Sequence, residues 1–260
     1  MVNVKKYNSY LKLFILNLTL IVLITSCSQN YSLTKIEGKQ VKVTEKSGEF
    51  ATIENYISPY RNRINKDLDS VLAYCPETLD KSSGIYQTKI GDLMADVVLE
   101  KTRNIFKKRE NKTIDICLLN NGGIRAILPK GNVTTRTAFE IMPFENTALV
   151  LELKGEQLLD IANFIILEKK PHPVSGITFT IDVLNKVKNI KINNQDLQLD
   201  KTYFVVTNDY LANGGDNMVF FKKAIKTYDL NYKLRNILID YFKEIDTIPV
   251  AFDIKITKEN

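Results

Sequence analysis

One stretch constrains this chain more than any other: a short apolar run, Ile114 with Ile116 to Leu119, that stops abruptly at Asn120-Asn121-Gly122-Gly123. Thr113 to Leu119 reads as a buried strand. Glycine tolerates positive φ and lets a ligand approach the backbone with no Cβ in the way. Ile124 and Arg125 follow at once. A strand ending in a polar, glycine-bearing turn with a cation places N–H groups and a guanidinium around one point, which suits an anionic or polar ligand. In isolation the segment reads as an ordinary tight turn after a core strand.

The first residues form a separate unit. Lys5, Lys6 and Lys12 precede an apolar run from Leu13 to Ile24, broken by Asn17 and Thr19. A basic start followed by an apolar core too short to span a bilayer comfortably is the pattern of a signal peptide. It ends in Ile24-Thr25-Ser26-Cys27, which resembles the bacterial lipobox. That resemblance implies lipidation at Cys27, cleavage of residues 1–26, and a lipid-anchored protein of the cell envelope, at the outer membrane on its periplasmic or surface face. A plain secretory cleavage site is the alternative. The three signal lysines account for half of the +6 formal charge, leaving +3. A charge this small, with Lys and Arg scattered, does not point to nucleic acid. Cys75 and Cys117 remain, and their pairing is left open. The chain has no CxxC and no zinc spacing.

Residues 27–50 read as a polar tether leading to a first strand near Gln40–Val43. Residues 51–260 read as one domain. Ile53, Tyr56, Ile57, Tyr60, Ile64, Leu68, Val71 and Leu72 recur at helical spacing, predicting an amphipathic helix from Ala51 to about Tyr74 with Pro59 inside it. Helices are also expected over Ile90–Lys108, Glu156–Leu167 and Asn231–Lys243. Strands are expected over Thr147–Leu153, Thr202–Thr207 and Thr247–Ile256, with a hairpin of Gly176–Val183 and Val187–Ile192 around Asn185-Lys186. Helices early, middle and late with strands between give an α/β (α+β) domain in which helices cover mixed sheets.

Three loops then matter together: Asn120 to Arg125, Pro143-Phe144-Glu145-Asn146, and Asn208 to Asp216. Two aromatics could clamp a planar base, at about 1–3 kcal/mol per stacked base. A carboxylate can accept from both hydroxyls of a ribose, and an arginine can reach ribose or phosphate. Singly, Phe144 and Tyr210 read as core aromatics and Asp216 as a turn cap. Together the segments resemble the C-terminal, substrate-binding domain of 5′-nucleotidases, whose motifs run approximately N-G-G-G-I-R, P-F-x-N and N-F-x-A-x-G-G-D. The matches are Asn120, Gly122, Gly123, Ile124 and Arg125; Pro143, Phe144 and Asn146; and Ala212, Gly214, Gly215 and Asp216.

The resemblance implies that Phe144 and Tyr210 sandwich the base and that Asp216 holds the ribose hydroxyls. It places Arg125 and Asn120 on the nucleoside and phosphate side, with Gly122, Gly123, Gly214 and Gly215 shaping the turns. Asn121 stands where the motif has a glycine, and Tyr210 where it has Phe. Tyr86 to Leu93 is similar to the family's R-x-x-E-x-x-x-G-N-L region, with no arginine upstream of Gly91 to bind ligand.

Full-length members of that family carry a metallophosphoesterase domain that binds two metals through several His, Asp and Asn. This chain has one histidine, His172, between Pro171 and Pro173, where an exposed structural role is expected. It has no D-x-H and no G-N-H-[DE]. No metal or cofactor is therefore expected in this chain. The expectation is the nucleotide- or nucleoside-binding half of a split 5′-nucleotidase, with divalent metals in a separate metallophosphatase subunit. The alternatives are a lipoprotein that captures nucleosides without hydrolysis, and a degenerate structural domain.

Overall fold

The apolar strands expected from the sequence assemble into a central sheet buried on both faces. A computed structural model describes residues 4–24, 33–44, 48, 50–250 and 253–259. Cys27 lies outside the described residues. The chain divides into two units, Met1–Glu54 and Asn55–Asn260. The first carries helix α1 (Val4–Ile24) and an irregular stretch over residues 33–44. Among the described residues, no helix is long and apolar enough to cross a membrane.

Helix α2 (Ala51–Leu68) links into the second unit. Then follow β1 (Val71–Cys75), α3 (Lys89–Glu110), β2 (Ile116–Leu118), β3 (Gly131–Thr134), α4 (Thr135–Ile141), β4 (Thr147–Lys154) and α5 (Gly155–Glu168). The second half holds β5 (Val174–Ser175), β6 (Ile177–Ile181), β7 (Val187–Ile192), β8 (Gln195–Asp196), β9 (Thr202–Asn208), α6 (Asp209–Ala212), β10 (Lys226–Lys233), α7 (Leu234–Glu244) and β11 (Ile256–Lys258). The central sheet has the order β10-β4-β9-β2-β5, a smaller sheet has the order β11-β6-β7-β8, and β1 pairs with β3.

Strand side chains alternate between faces, so the central sheet serves two cores. Cys117, Leu119, Val150 and Val206 point to one, shared with Met94 and Val98 of α3 and Ile237 of α7. Ile116, Leu118, Leu151 and Val205 point to the other, shared with Leu158 and Ile161 of α5. Burial on both faces is why these strands read as near-continuous apolar runs. Burial also pushes the Cys117 thiol upward, and Cys75 and Cys117 are both free thiols.

The pairing decides where the loops go. In the antiparallel pair of β4 and β9, Ala148 lies opposite Asn208. β9 and β2 run parallel. The start of β4 and the ends of β9 and β2 therefore meet at one edge of the sheet. The loops leaving there are Pro143–Asn146, Asp209–Asp216 and Asn120–Arg125.

Several expected boundaries differ. The helix from Ala51 stops at Leu68 instead of Tyr74 because Val71–Cys75 pairs with β3, a tertiary partner that overrides a coincident helical period. Pro59 stays inside α2, which buries no residue; Tyr56, Tyr60 and Ile64 lie exposed along it. No strand forms at Gln40–Val43, which pairs with no strand among the described residues. Asn231–Lys233 belongs to β10 rather than to the last helix, since Tyr228 and Leu230 alternate inward against β4. The closing strand is limited to Ile256–Lys258, parallel to β6; Thr247 makes only a single bridge, to Tyr74. The Asn185-Lys186 hairpin forms as expected.

Candidate functional site

The loops at this edge enclose a cavity of about 370 Å³. Asn120, Gly122, Gly123 and Arg125 form one wall, Phe144 and Asn146 a second, and Tyr210 and Asp216 a third. A shallower cleft continues past Asn146 and Tyr210 to Gly214 and Gly215. The ten residues singled out for substrate binding thus come together, although Asn120 and Asp216 are far apart in sequence.

Each wall is held from behind. After β2, residues Asn121–Gly123 make one 3₁₀ turn. A Cβ on Gly123 would sit 2.9 Å from Asn120 Oδ1, so this glycine lets the Asn120 side chain fold across the turn. Asn120 is buried, and its Nδ2 donates to Asp216 Oδ2 at 2.6 Å. Asp216 Oδ1 accepts from the Tyr210 hydroxyl at 2.8 Å, and the Asp216 N–H donates back to that hydroxyl at 3.2 Å. Asp216 has φ +49°, a left-handed conformation that costs an L-residue energy and is tolerated best by Asp and Asn. Gly214 precedes it at φ +86°. The Arg125 guanidinium lies 5.8 Å from the Phe144 ring centre, within cation–π range. Phe144 and Tyr210 are both about half exposed, so neither is a core aromatic. Such a cavity offers two apolar ring surfaces, one carboxylate and one guanidinium, which suits a planar group carrying hydroxyls and an anion.

The family model for the 5′-nucleotidase C-terminal domain matches residues 72–223, more than half of the chain. The chain belongs to the 5′-nucleotidase C-terminal domain family. The trifunctional nucleotide phosphoesterase protein YfkN of Bacillus subtilis is 27% identical over 220 residues, covering 78% of this chain and 15% of that protein. A 5′-nucleotidase of Vibrio vulnificus is 26% identical over 193 residues, 70% of this chain and 32% of its own length. Among solved structures, the 5′-nucleotidase precursor of Thermus thermophilus superposes with a TM-score of 0.68 at 27% identity, covering 80% of this chain and 43% of the other. The chain spans less than half the length of each of these relatives.

Within this 5′-nucleotidase C-terminal domain, two bracing groups escaped sequence reasoning. Lys81 donates to the carbonyl of Ile124 at 2.7 Å, tying a distant loop to the Asn-Gly-Gly turn. Arg235, buried at the start of α7, donates to the Pro143 carbonyl at 3.2 Å and pairs with Glu145, which fixes the loop carrying Phe144. That pair holds the Glu145 carboxyl below its usual range. A lysine or arginine distant in sequence carries no local signal for such a role. Tyr86–Leu93 lines neither cavity. Gln87 instead receives the backbone N–H groups of Lys255 and Ile256 and donates to Asp92, anchoring the C-terminal strand.

His172 departs from expectation: it is buried rather than exposed. Its Nδ1 accepts the Asn121 N–H at 3.3 Å, its ring lies 5.5 Å from that of Phe164, and its Nε2 has no partner. Among the described residues, no group of three or more His, Cys, Asp or Glu is arranged to hold a metal. Burial drives the His172 pKa down from 6.5 to about 4. Above pH 6.5 both folded and unfolded chains hold a neutral imidazole. Below it the unfolded chain takes up a proton that the folded chain refuses until about pH 4, so stability falls across that window. The loss attributable to this group is expected to reach about 3 kcal/mol. Denaturant melts of the wild type and His172→Gln from pH 7 to pH 4 check it: the variant, which keeps an acceptor, should show the shallower slope. Parallel slopes would remove His172 as the cause.

Proposed function

We propose that this chain is the nucleotide-binding half of a split 5′-nucleotidase. Phe144 and Tyr210 take the base, Asp216 the ribose hydroxyls, and Arg125 with Asn120 the side from which the phosphate projects. A separate metallophosphatase subunit with two divalent metals performs the hydrolysis. Holding the nucleotide in register for that partner is a proximity contribution to its catalysis. Lipidation at Cys27 keeps the chain at the cell envelope. The observation that carries this reading is the convergence of three family motifs on one cavity in a chain whose single histidine is buried against a backbone N–H.

Calorimetry of the full chain with adenosine and AMP is the first test. Both are expected to bind, and Phe144→Ala is expected to weaken them about tenfold, the lower range of one lost stacking surface. If neither ligand binds, the nucleotide reading fails. The second test is AMP hydrolysis with divalent metal, by the chain alone and with a two-metal phosphatase from the same cell. Stimulation by the pair is expected. Robust hydrolysis by the chain alone would sink the split arrangement, and binding with no stimulation would favour capture without hydrolysis.

A further inference from the structure

Past Tyr210 and Asn146 the pocket opens into a cleft of about 560 Å³, walled further by Asp209, Asn213, Gly214 and Gly215. Asp209 opens α6 and Asn213 caps it, one helical turn on, so the two residues face the same side. The Asp209 carboxylate is oriented by its own neighbour, Oδ1 accepting the Tyr210 N–H at 2.9 Å. The Asn213 amide is oriented likewise, Nδ2 donating to the Asp209 carbonyl at 2.8 Å. Asp209 Oδ2 and Asn213 Oδ1 are left with no donor among the described residues. The cleft therefore presents two acceptors, one of them charged. Asn146, which borders cleft and pocket alike, adds an amide that can donate.

A base stacked on Tyr210 turns an edge towards this cleft, and bases differ in what their edges offer. Guanine carries N1–H and the 2-amino group side by side, next to the O6 acceptor; adenine carries one amino group beside a lone pair at N1. A carboxylate only accepts. It takes both guanine donors at once and opposes the adenine N1 lone pair. Asp209 stands where the motif N-F-x-A-x-G-G-D begins with asparagine, an amide that can turn either face to a base. Bonds to an ionised acceptor are among the strong ones, and this attraction does not require the carboxylate to be shielded from water. Resting on the nucleoside reading above, we infer that the pocket prefers guanine nucleosides and nucleotides to adenine ones, with Asp209 as the residue that sets the choice.

The test is calorimetry of the full chain with guanosine, inosine and adenosine, in the wild type and in Asp209→Asn, with melting curves to verify folding. Guanosine is expected to bind about tenfold tighter than adenosine. Inosine keeps N1–H and lacks the 2-amino group, so it should fall between them; this comparison needs no variant. Asp209→Asn keeps an acceptor for the Tyr210 N–H and is expected to bring guanosine and adenosine within about threefold of each other, mainly by weakening guanosine. Equal wild-type affinities, tighter binding of adenosine, or a guanosine preference that survives Asp209→Asn would overturn the inference while leaving the nucleoside reading in place. If none of the three binds the wild type, it is the nucleoside reading that fails.

Discussion

Gly176→Ala is expected to destabilise the fold by about 3–5 kcal/mol, lowering Tm by roughly 10 °C or more. Gly176 joins β5 to β6 with φ +80°. A left-handed conformation costs an L-residue about 1–2 kcal/mol. The greater part of the loss is steric: an added Cβ would sit 2.1 Å from the Asp115 carbonyl oxygen and 3.2 Å from Ile116 Cα. Those are backbone atoms at the foot of β2, so neither side can swing away, and relief requires the small sheet to move off the central one. Gly131→Ala supplies the control, because Gly131 also has positive φ, at +121°, but nothing lies within 4 Å of its added Cβ. Its loss should be limited to the conformational cost of a sparsely populated φ, about 1–3 kcal/mol. Equal melting temperatures for the two variants would show that β2 and the β5–β6 connection are not in contact as described.

Gly215→Ala is expected to do the opposite, costing ligand affinity about a hundredfold while leaving Tm within about 2 °C of the wild type. Gly215 has no positive φ, so its backbone accepts alanine. The new Cβ would meet Tyr210 Cε1 and Cζ at 2.5 Å. Tyr210 is about half exposed, and rotation of its ring into solvent relieves the clash cheaply. That rotation removes one stacking surface and withdraws the hydroxyl from Asp216 Oδ1, so two parts of the pocket fail together. Calorimetry with adenosine beside a melting curve separates the two effects. Unchanged affinity would mean that the Tyr210 ring is not a wall of the pocket, and a large drop in Tm would mean that Gly215 is structural.

The loops of the site were legible because each breaks an apolar strand with glycine, proline or asparagine, and chain order alone carries those signals. Their convergence was not. It depends on β4 pairing with β9 and β9 with β2, and nothing local to Asn120, Phe144 or Asp216 encodes that register. The errors share a physical cause. Val71 and Leu72 continue the helical period of Ile64 and Leu68, yet strand pairing with Val133 and Thr134 wins. Tyr228, Leu230 and Tyr232 alternate, but a helical period starting at Tyr232 masked the end of β10. His172 between two prolines has the look of a surface loop. The Pro173 carbonyl accepts the Leu119 N–H, however, and this draws the segment under the glycine turn and buries the ring.

The parallel pairing of β2 with β9 also bears on how the pocket comes into being. The two strands lie far apart along the chain, and such non-local contacts pay their loop-closure entropy before they return any stabilisation. The cavity therefore exists only in chains that have completed this register; a partly folded chain presents the same residues scattered. A ligand touching all three loops binds the finished state alone and adds its binding energy to folding, about 2.7 kcal/mol at a hundredfold excess over Kd. Melting curves recorded across a panel of nucleosides would accordingly rank ligands without any catalytic readout.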